Sequence, residues 1–141
     1  MRIRSVLSGA TCALALMVCA QTALAQIQIP PHASTYNGYS RGFNFTANTN
    51  FFINQLDLPL DAYQAGDTAG YMVRVNGVQV LLSIGNAGAI SVNIQINTGD
   101  VVDIIANWSP AAPGSFTAHN SYGSGAPYAT MIEGVAHTLN R

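Results

Sequence analysis

Strict alternation of apolar and polar residues over residues 90–97 constrains this chain more than any other feature. The apolar set is Ile90, Val92, Ile94 and Ile96, and the polar set is Ser91, Asn93, Gln95 and Asn97. A period of two is typical of a β-strand that buries one face and exposes the other. The segment is therefore predicted to be a strand whose isoleucine and valine side chains face a core.

The same period recurs on both sides of an Asn76-Gly77 pair. Tyr71, Val73 and Val75 alternate before the pair, and four apolar residues alternate after it: Val78, Val80, Leu82 and Ile84. A type I′ turn needs positive φ at both central residues, which Asn-Gly tolerates best. We predict a β-hairpin over residues 70–84, and we expect its second strand to turn those four side chains inward.

Further strands are indicated over most of the remaining chain. A change of phase near Asn54 and Gln55 indicates a β-bulge, residues 101–106 form an apolar run of the kind buried on both faces, and Glu133-Gly134 indicates a turn. The pattern predicts an all-β fold: a single antiparallel β-sandwich, jelly-roll-like, with eight or nine strands over residues 36–141. The expected core is Phe43, Phe45, Ile53, Leu56, Val73, Val80, Leu82, Val92, Ile94, Val102 and Ile104.

The first 25 residues have the composition of an export signal. Arg2 and Arg4 precede an apolar stretch over residues 6–20, and Ala23-Leu24-Ala25 supplies the small residues that a signal peptidase requires. We predict a signal peptide at residues 1–25, an extended leader at residues 26–35, and a secreted protein, extracellular or periplasmic, with no membrane span after cleavage. A membrane anchor is the alternative, but the apolar run is shorter than the roughly 20 residues that a span requires.

The composition excludes several classes of protein. Charged residues make up 8% of the chain, against about 25% in an average globular domain, and there is no lysine. A chain of this kind does not suit nucleic-acid binding. Both cysteines, Cys12 and Cys19, lie in the predicted signal peptide, so no disulfide is expected after cleavage. A lipid on Cys19 is an alternative. Val18 argues against it, because a small residue is required directly before a lipidated cysteine.

The sequence contains no catalytic or metal-binding motif. The three histidines lack the spacing of metal ligands, and no nucleophile elbow is present. We therefore predict a non-enzymatic protein without a cofactor. Two alternatives depend on geometry: a catalytic triad that includes His119 and Asp103, and a weak calcium site at Asp61 and Asp67. Solvated turn aspartates are the simpler interpretation of the last two residues.

Several segments together resemble a group of exported bacterial β-sandwich domains of unknown function. These segments are residues 38–47, 51–59, 98–104, 120–123 and 126–130. The resemblance covers most of residues 36–139 and implies a secreted β-sandwich, with no activity or site to carry over. Because such domains usually run on further, it also allows a final strand that is missing or supplied by a partner.

Aromatic residues in or beside predicted loops are the first candidates for ligand binding. Rings with a polar edge, next to Asn, Ser and Gly, suit stacking on sugars together with hydrogen bonds to hydroxyls. The expected ligand is a glycan or another extracellular polymer, and the residues are Tyr122, Tyr128, Trp108, Arg41 and Asn120. In the simpler interpretation these rings pack against the sandwich or close its ends, and Arg41 pairs with Asp57 across two strands.

An uncharged segment of 25 residues lies between Arg74 and Asp100 and suggests a second function. A strand from this segment at a sheet edge would carry no charge to block pairing with another chain. The alternative function is therefore a self-associating structural surface or matrix protein, a homo-oligomer assembled by strand addition. Residues 26–30 of a neighbour are a candidate donor strand. If the strands are central instead, their polar face is simply solvated.

Overall fold

Ten β-strands and a short 3-10 helix make up the computed structural model, which describes residues 32–38, 40–85, 88–110, 118–123 and 127–141. The strands are β1 (His32–Gly38), β2 (Gly42–Thr46), β3 (Phe51–Asp57), β4 (Asp67–Val75), β5 (Val78–Gly85), β6 (Ala89–Ile96), β7 (Val101–Pro110), β8 (Ala118–Gly123), β9 (Tyr128–Ile132) and β10 (Val135–Leu139). The helix is Leu60–Ala62. The all-β class is confirmed for these residues. The predicted signal peptide lies outside them, and β1 begins within the segment predicted as a leader.

β7 is the central strand of the largest sheet. It pairs with β4 along one edge, and with β2 and then β8 along the other. The strand order is β1-β8-β7-β4-β5, with β2 beside the first half of β7. β3 pairs with β6 and β9 pairs with β10, and backbone hydrogen bonds between Asn44 and Asn140 join β10 to β2. All the strand pairs in the described ranges are antiparallel.

Two linked turns confirm the sequence signal for the hairpin. Asn76 and Gly77 have φ angles of 52° and 79° at the turn between β4 and β5. The Asn76 side chain also joins the neighbouring turn: its Nδ2 donates to Asp100 Oδ1 at 2.8 Å, and its Oδ1 accepts from Val101 N at 2.9 Å. Hydrogen bonds from the N–H of Asn97 and from Asn76 hold the pKa of Asp100 below its ordinary value of 3.8.

The core is shared by the large sheet and both two-stranded sheets. Its buried apolar side chains come from β2, β3, β4, β6, β7, β9 and β10. Most expected core residues are buried (Phe45, Ile53, Leu56, Val73 and Val102) or partly buried against the core (Phe43, Val92, Ile94 and Ile104). Val80 and Leu82 are exposed, as are Val78 and Ile84, so the expectation that these four side chains of β5 are buried is wrong.

A β-bulge reverses the expected phase of β5. The register with β4 shifts between Val73 and Arg74 and leaves Val80 as an extra residue. Beyond the bulge, Leu81 packs against the core and Leu82 is exposed. The adjacent pair Leu81-Leu82 fits either phase, so alternation alone predicted the wrong one.

A second bulge confirms the expected change of phase in β3. The register with β6 shifts between Ile53 and Gln55, so that Ile53 and Leu56 both face the core despite their odd spacing.

β7 differs from its prediction. The run at residues 101–106 is not buried on both faces, because Val101 is exposed on a side of the sheet that solvent reaches.

A buried histidine ties the segment between β2 and β3 to β10. Nε2 of His137 accepts the N–H of Asn48 at 2.8 Å, and Nδ1 donates to the carbonyl of Val135 at 2.8 Å. These partners place the ring hydrogen on Nδ1, because a backbone donor faces Nε2. The ring also meets Phe45 and Phe51 edge-on. His137 is therefore a core residue.

The Tyr71 hydroxyl fastens β4 to the chain just before β6. It donates to the carbonyl of Gly88, which also accepts the N–H of Leu58 at 2.7 Å. Burial raises the pKa of the Tyr71 phenol above its ordinary value of 10.0, and the carboxylate of Asp57 adds to this effect. One carbonyl thus holds together the segments that follow β3 and precede β6.

Candidate functional site

Among the described strands, β5 is the outermost strand of the large sheet beside β4, and it exposes four large apolar side chains together with the polar Gln79. The exposed fractions are 65% for Val78, 46% for Val80, 60% for Leu82 and 74% for Ile84, and these four residues are called the β5 edge below. Exposed apolar residues are ordinary when they are scattered singly. Leu82 and Ile84 lie next to each other on the outer face of β5, where they form an apolar patch of the kind found at interaction sites, and Val80 lies beside them at the bulge.

Backbone groups of the β5 edge also point away from the sheet. A two-residue turn closes with a hydrogen-bonded pair, and antiparallel pairs then alternate between bonded and non-bonded. Counting from the turn along β4, the hydrogen-bonded pairs beyond the bulge are Val73 with Leu81 and Tyr71 with Ser83. The N–H and C=O groups of Leu82 and Ile84 are therefore directed outward, where another strand can pair with them.

Charged residues are missing from β5 and from the following strand, β6. Natural edge strands often carry Lys, Pro or inward-pointing charges that prevent pairing with other chains. The register instead places Leu82 beside Met72 of β4 and Ile84 beside Gly70, so the apolar surface continues onto β4. The β5 edge thus has both the open backbone and the apolar side chains that strand addition requires.

A second exposed surface lies on the outer face of the β3–β6 pair. Phe52 is 53% exposed and has Gln95 as its Cα partner. Asn93 lies two residues before Gln95 on the same face of β6, and the exposed Asn97 follows just after the strand ends at Ile96. We call Phe52, Asn93, Gln95 and Asn97 the amide face. Phe52 is not among the residues predicted to bind. The sequence did contain a signal for its exposure, because Phe51 and Ile53 share the inward face and Phe52 lies between them.

The structure places two predicted stacking residues in the core. Trp108 is 2% exposed in β7, and its Nε1 donates to the carbonyl of Pro59 at 2.8 Å. Tyr128 is buried in β9 and packs edge-on against Phe43. Trp108 and Tyr128 thus follow the simpler interpretation, in which the rings pack against the sheets, because both residues lie on strands and turn their rings inward.

The other predicted binding residues lie elsewhere in the large sheet. Asn120 and Tyr122 belong to β8, and their side chains lie outside the described part of the structure. Arg41 directly precedes β2 and is half-buried. Asp57 pairs within the β3–β6 sheet, so it does not face Arg41 across two paired strands. Of the five predicted binding residues, Arg41 is the one whose described side chain meets solvent.

A buried aspartate–histidine pair lies where β4 begins. Nδ1 of His119 is 2.7 Å from Oδ2 of Asp67, and that oxygen also accepts the N–H of Gln64 at 2.9 Å. Catalysis by His119 would also require a hydroxyl nucleophile, and none of the described residues places one within hydrogen-bond distance of its ring. Asp103, the acid expected in a triad, instead accepts a hydrogen bond from the side chain of Asn44.

The predicted calcium ligands do not converge on a described site. Asp61 is exposed on the 3-10 helix, whereas the Asp67 carboxylate is engaged with His119. Asp67 also lines an open cavity of about 520 Å³ together with Tyr63 and Trp108. Within the described ranges, no three His, Cys, Asp or Glu side chains are grouped so that they could hold a metal ion. The same ranges contain no helix long and apolar enough to cross a membrane.

Comparisons with protein families, with curated proteins and with solved structures found nothing that matches this chain. The resemblance to exported bacterial β-sandwich domains therefore stays a prediction, and function has to be argued from the surfaces described above.

Proposed function

We propose that this protein is a non-enzymatic, self-associating module that forms homo-oligomers by antiparallel strand addition at the β5 edge. The observation that supports the proposal is the exposure of four large apolar side chains on an uncharged strand that, among the described strands, pairs with β4 alone. Pairing with another strand would remove this apolar surface from water. It would also satisfy the outward N–H and C=O groups of Leu82 and Ile84.

A second copy of the chain is the partner that fits this edge. An antiparallel pair of identical strands about a two-fold axis is self-complementary. When the pairing is centred on Ser83, Leu82 of each copy lies opposite Ile84 of the other copy, which gives two such pairs. The backbone groups of both residues point outward and can bond across the two strands. Each apolar cross-strand pair contributes about 0.2–1 kcal/mol. Because residues 75–99 are uncharged, the two edges meet without repulsion between like charges.

Light scattering across a range of protein concentrations tests the proposal. The mass of the wild-type protein is expected to rise with concentration from that of a monomer to that of a dimer. The Leu82→Lys variant should remain monomeric, because it puts a charge in place of leucine in both apolar cross-strand pairs with Ile84. Circular dichroism spectra should be unchanged, since Leu82 is exposed in the monomer.

Met131→Lys is the matched control for this experiment. Met131 is an exposed apolar residue on β9, and its substitution adds the same charge away from the β5 edge. This variant should associate as the wild type does. A wild-type protein that stays monomeric at every concentration contradicts the proposal, as does a control variant that dissociates as fully as Leu82→Lys.

The proposal extends to the layer arrangement and to export. A buried cluster shared by the large sheet and the β3–β6 pair supports a two-layer β-sandwich. The series of positive, apolar and small residues that ends at Ala25 supports a cleaved signal peptide. N-terminal sequencing of protein recovered outside the cytoplasm should give Gln26 as the first residue. Met1 on the exported protein would contradict the proposed cleavage.

A further inference from the structure

The amide face combines one exposed aromatic ring with a row of three amide side chains. Phe52 lies opposite Gln95, Asn93 precedes Gln95 on the same face of β6, and Asn97 follows it where the strand ends. Gln95 Nε2 donates to Asn97 Oδ1 at 3.2 Å, so these two amides already hold each other in place. Polar groups around an exposed ring therefore form one continuous patch.

The chemistry of this patch matches that of a neutral sugar chain. Each amide offers two N–H donors and a carbonyl acceptor, and a sugar hydroxyl can both donate and accept. An aromatic ring provides a flat apolar surface for the C–H side of a sugar ring. Within β3 and β6 the one charged residue is Asp57, at the far end of β3 from Phe52, and the carboxylate of Asp100 accepts a hydrogen bond from Asn97, so the charges placed here are negative and disfavour an acidic polymer. We propose that the amide face binds an extended, uncharged polysaccharide.

The shape of the face favours a polymer over a small sugar or a protein. Asn93 and Gln95 are spaced about 7 Å apart along β6 and Asn97 follows where the strand ends, so a chain lying over them meets several amides in turn. A flat sheet has no walls that would enclose a single sugar. The centre of a protein interface is usually apolar, whereas Phe52 is a single ring among amides. The β5 edge belongs to another sheet, so this inference is independent of self-association.

Affinity electrophoresis tests the inference with named polysaccharides in the gel. Dextran, hydroxyethyl cellulose and galactomannan are the neutral probes, and alginate is the acidic one. The wild-type protein should be retarded by at least one neutral polysaccharide and not by alginate alone. Phe52→Ala should raise the dissociation constant about tenfold, the equivalent of one aromatic stacking contact. Phe52→Tyr should retain binding, because it keeps the ring.

Two further variants make the test specific to the amide face. Gln95→Ala should weaken binding severalfold. Because Gln95 is exposed, this variant should fold normally, so its binding tests the inference even if Phe52→Ala lowers the melting temperature. Met131→Ala is the matched control and should bind as the wild type does. Failure of all three neutral probes overturns the inference, and so does retardation by alginate alone. Unchanged binding by both Phe52→Ala and Gln95→Ala overturns it equally.

Discussion

Leu81 and Leu82 are neighbours on β5 in opposite environments, and truncation of each to alanine tests the phase of this strand. Leu81 packs against the core, whereas Leu82 is 60% exposed. A fully buried leucine loses about 2–5 kcal/mol on truncation, so we expect about 1.5–3 kcal/mol for Leu81→Ala, which is only partly buried. About two-fifths of the Leu82 surface is buried, and full burial of a leucine side chain stabilises a protein by roughly 2 kcal/mol. Leu82→Ala should therefore cost less than about 1 kcal/mol.

Urea unfolding followed by tryptophan fluorescence measures both costs in one assay. Trp108 is the single tryptophan of the chain and is buried, so its emission should shift on unfolding. With a slope of about 1–3 kcal/mol per molar urea, Leu81→Ala should lower the midpoint by about 1 M. Dilute protein keeps association from adding to the effect at Leu82. Equal costs, or a larger cost for Leu82→Ala, would refute the bulge and the phase that follows from it.

Three further substitutions test single contacts. The raised pKa of Tyr71 means that its contribution to stability is complete below pH 10.0 and is lost as the pH rises through the folded-state pKa; the wild-type melting temperature should therefore fall more steeply above pH 10 than that of Tyr71→Phe, and parallel curves would count against this. The lowered pKa of Asp100 has the opposite sign, so its contribution is complete above pH 3.8 and is lost at lower pH; Asp100→Asn should flatten the acid side of the melting profile, and an unchanged acid side would contradict the assignment. His137→Phe keeps an aromatic ring at this position but leaves the N–H of Asn48 without its acceptor, so urea melts should show a loss of about 1–3 kcal/mol; a loss below about 0.5 kcal/mol would show that the bond is dispensable.

Local signals in the sequence predicted much of the fold. Asn76-Gly77 forms a turn with positive φ at both residues, which few other residue pairs adopt easily, and in the turn at Glu133-Gly134 the glycine is the residue that adopts positive φ readily. The alternation in β6 and the phase change in β3 likewise each depend on the residues of a single strand. Features of this kind depend on a few adjacent residues and can be read without knowing the neighbouring strands.

Features that depend on neighbouring strands could not be predicted in this way. Leu81 and Leu82 are equally apolar, and the bulge opposite β4 decides which of them is buried. Trp108 is polar at its indole nitrogen, yet the carbonyl of Pro59 satisfies that donor inside the core. The amide row was visible in the sequence, but the exposed ring of Phe52 joins it only through the register of β3 with β6.

Hydrogen exchange resolved to single backbone amides tests the central proposal most directly, at low and at high protein concentration. The amides of Leu82 and Ile84 point away from β4 and should exchange rapidly in dilute solution. At concentrations where light scattering shows dimers, the same two amides should become protected, while the exchange of Leu81 and Ser83, already bonded to β4, changes much less. Dimers in which the Leu82 and Ile84 amides still exchange as fast as in the monomer would contradict strand addition at the β5 edge.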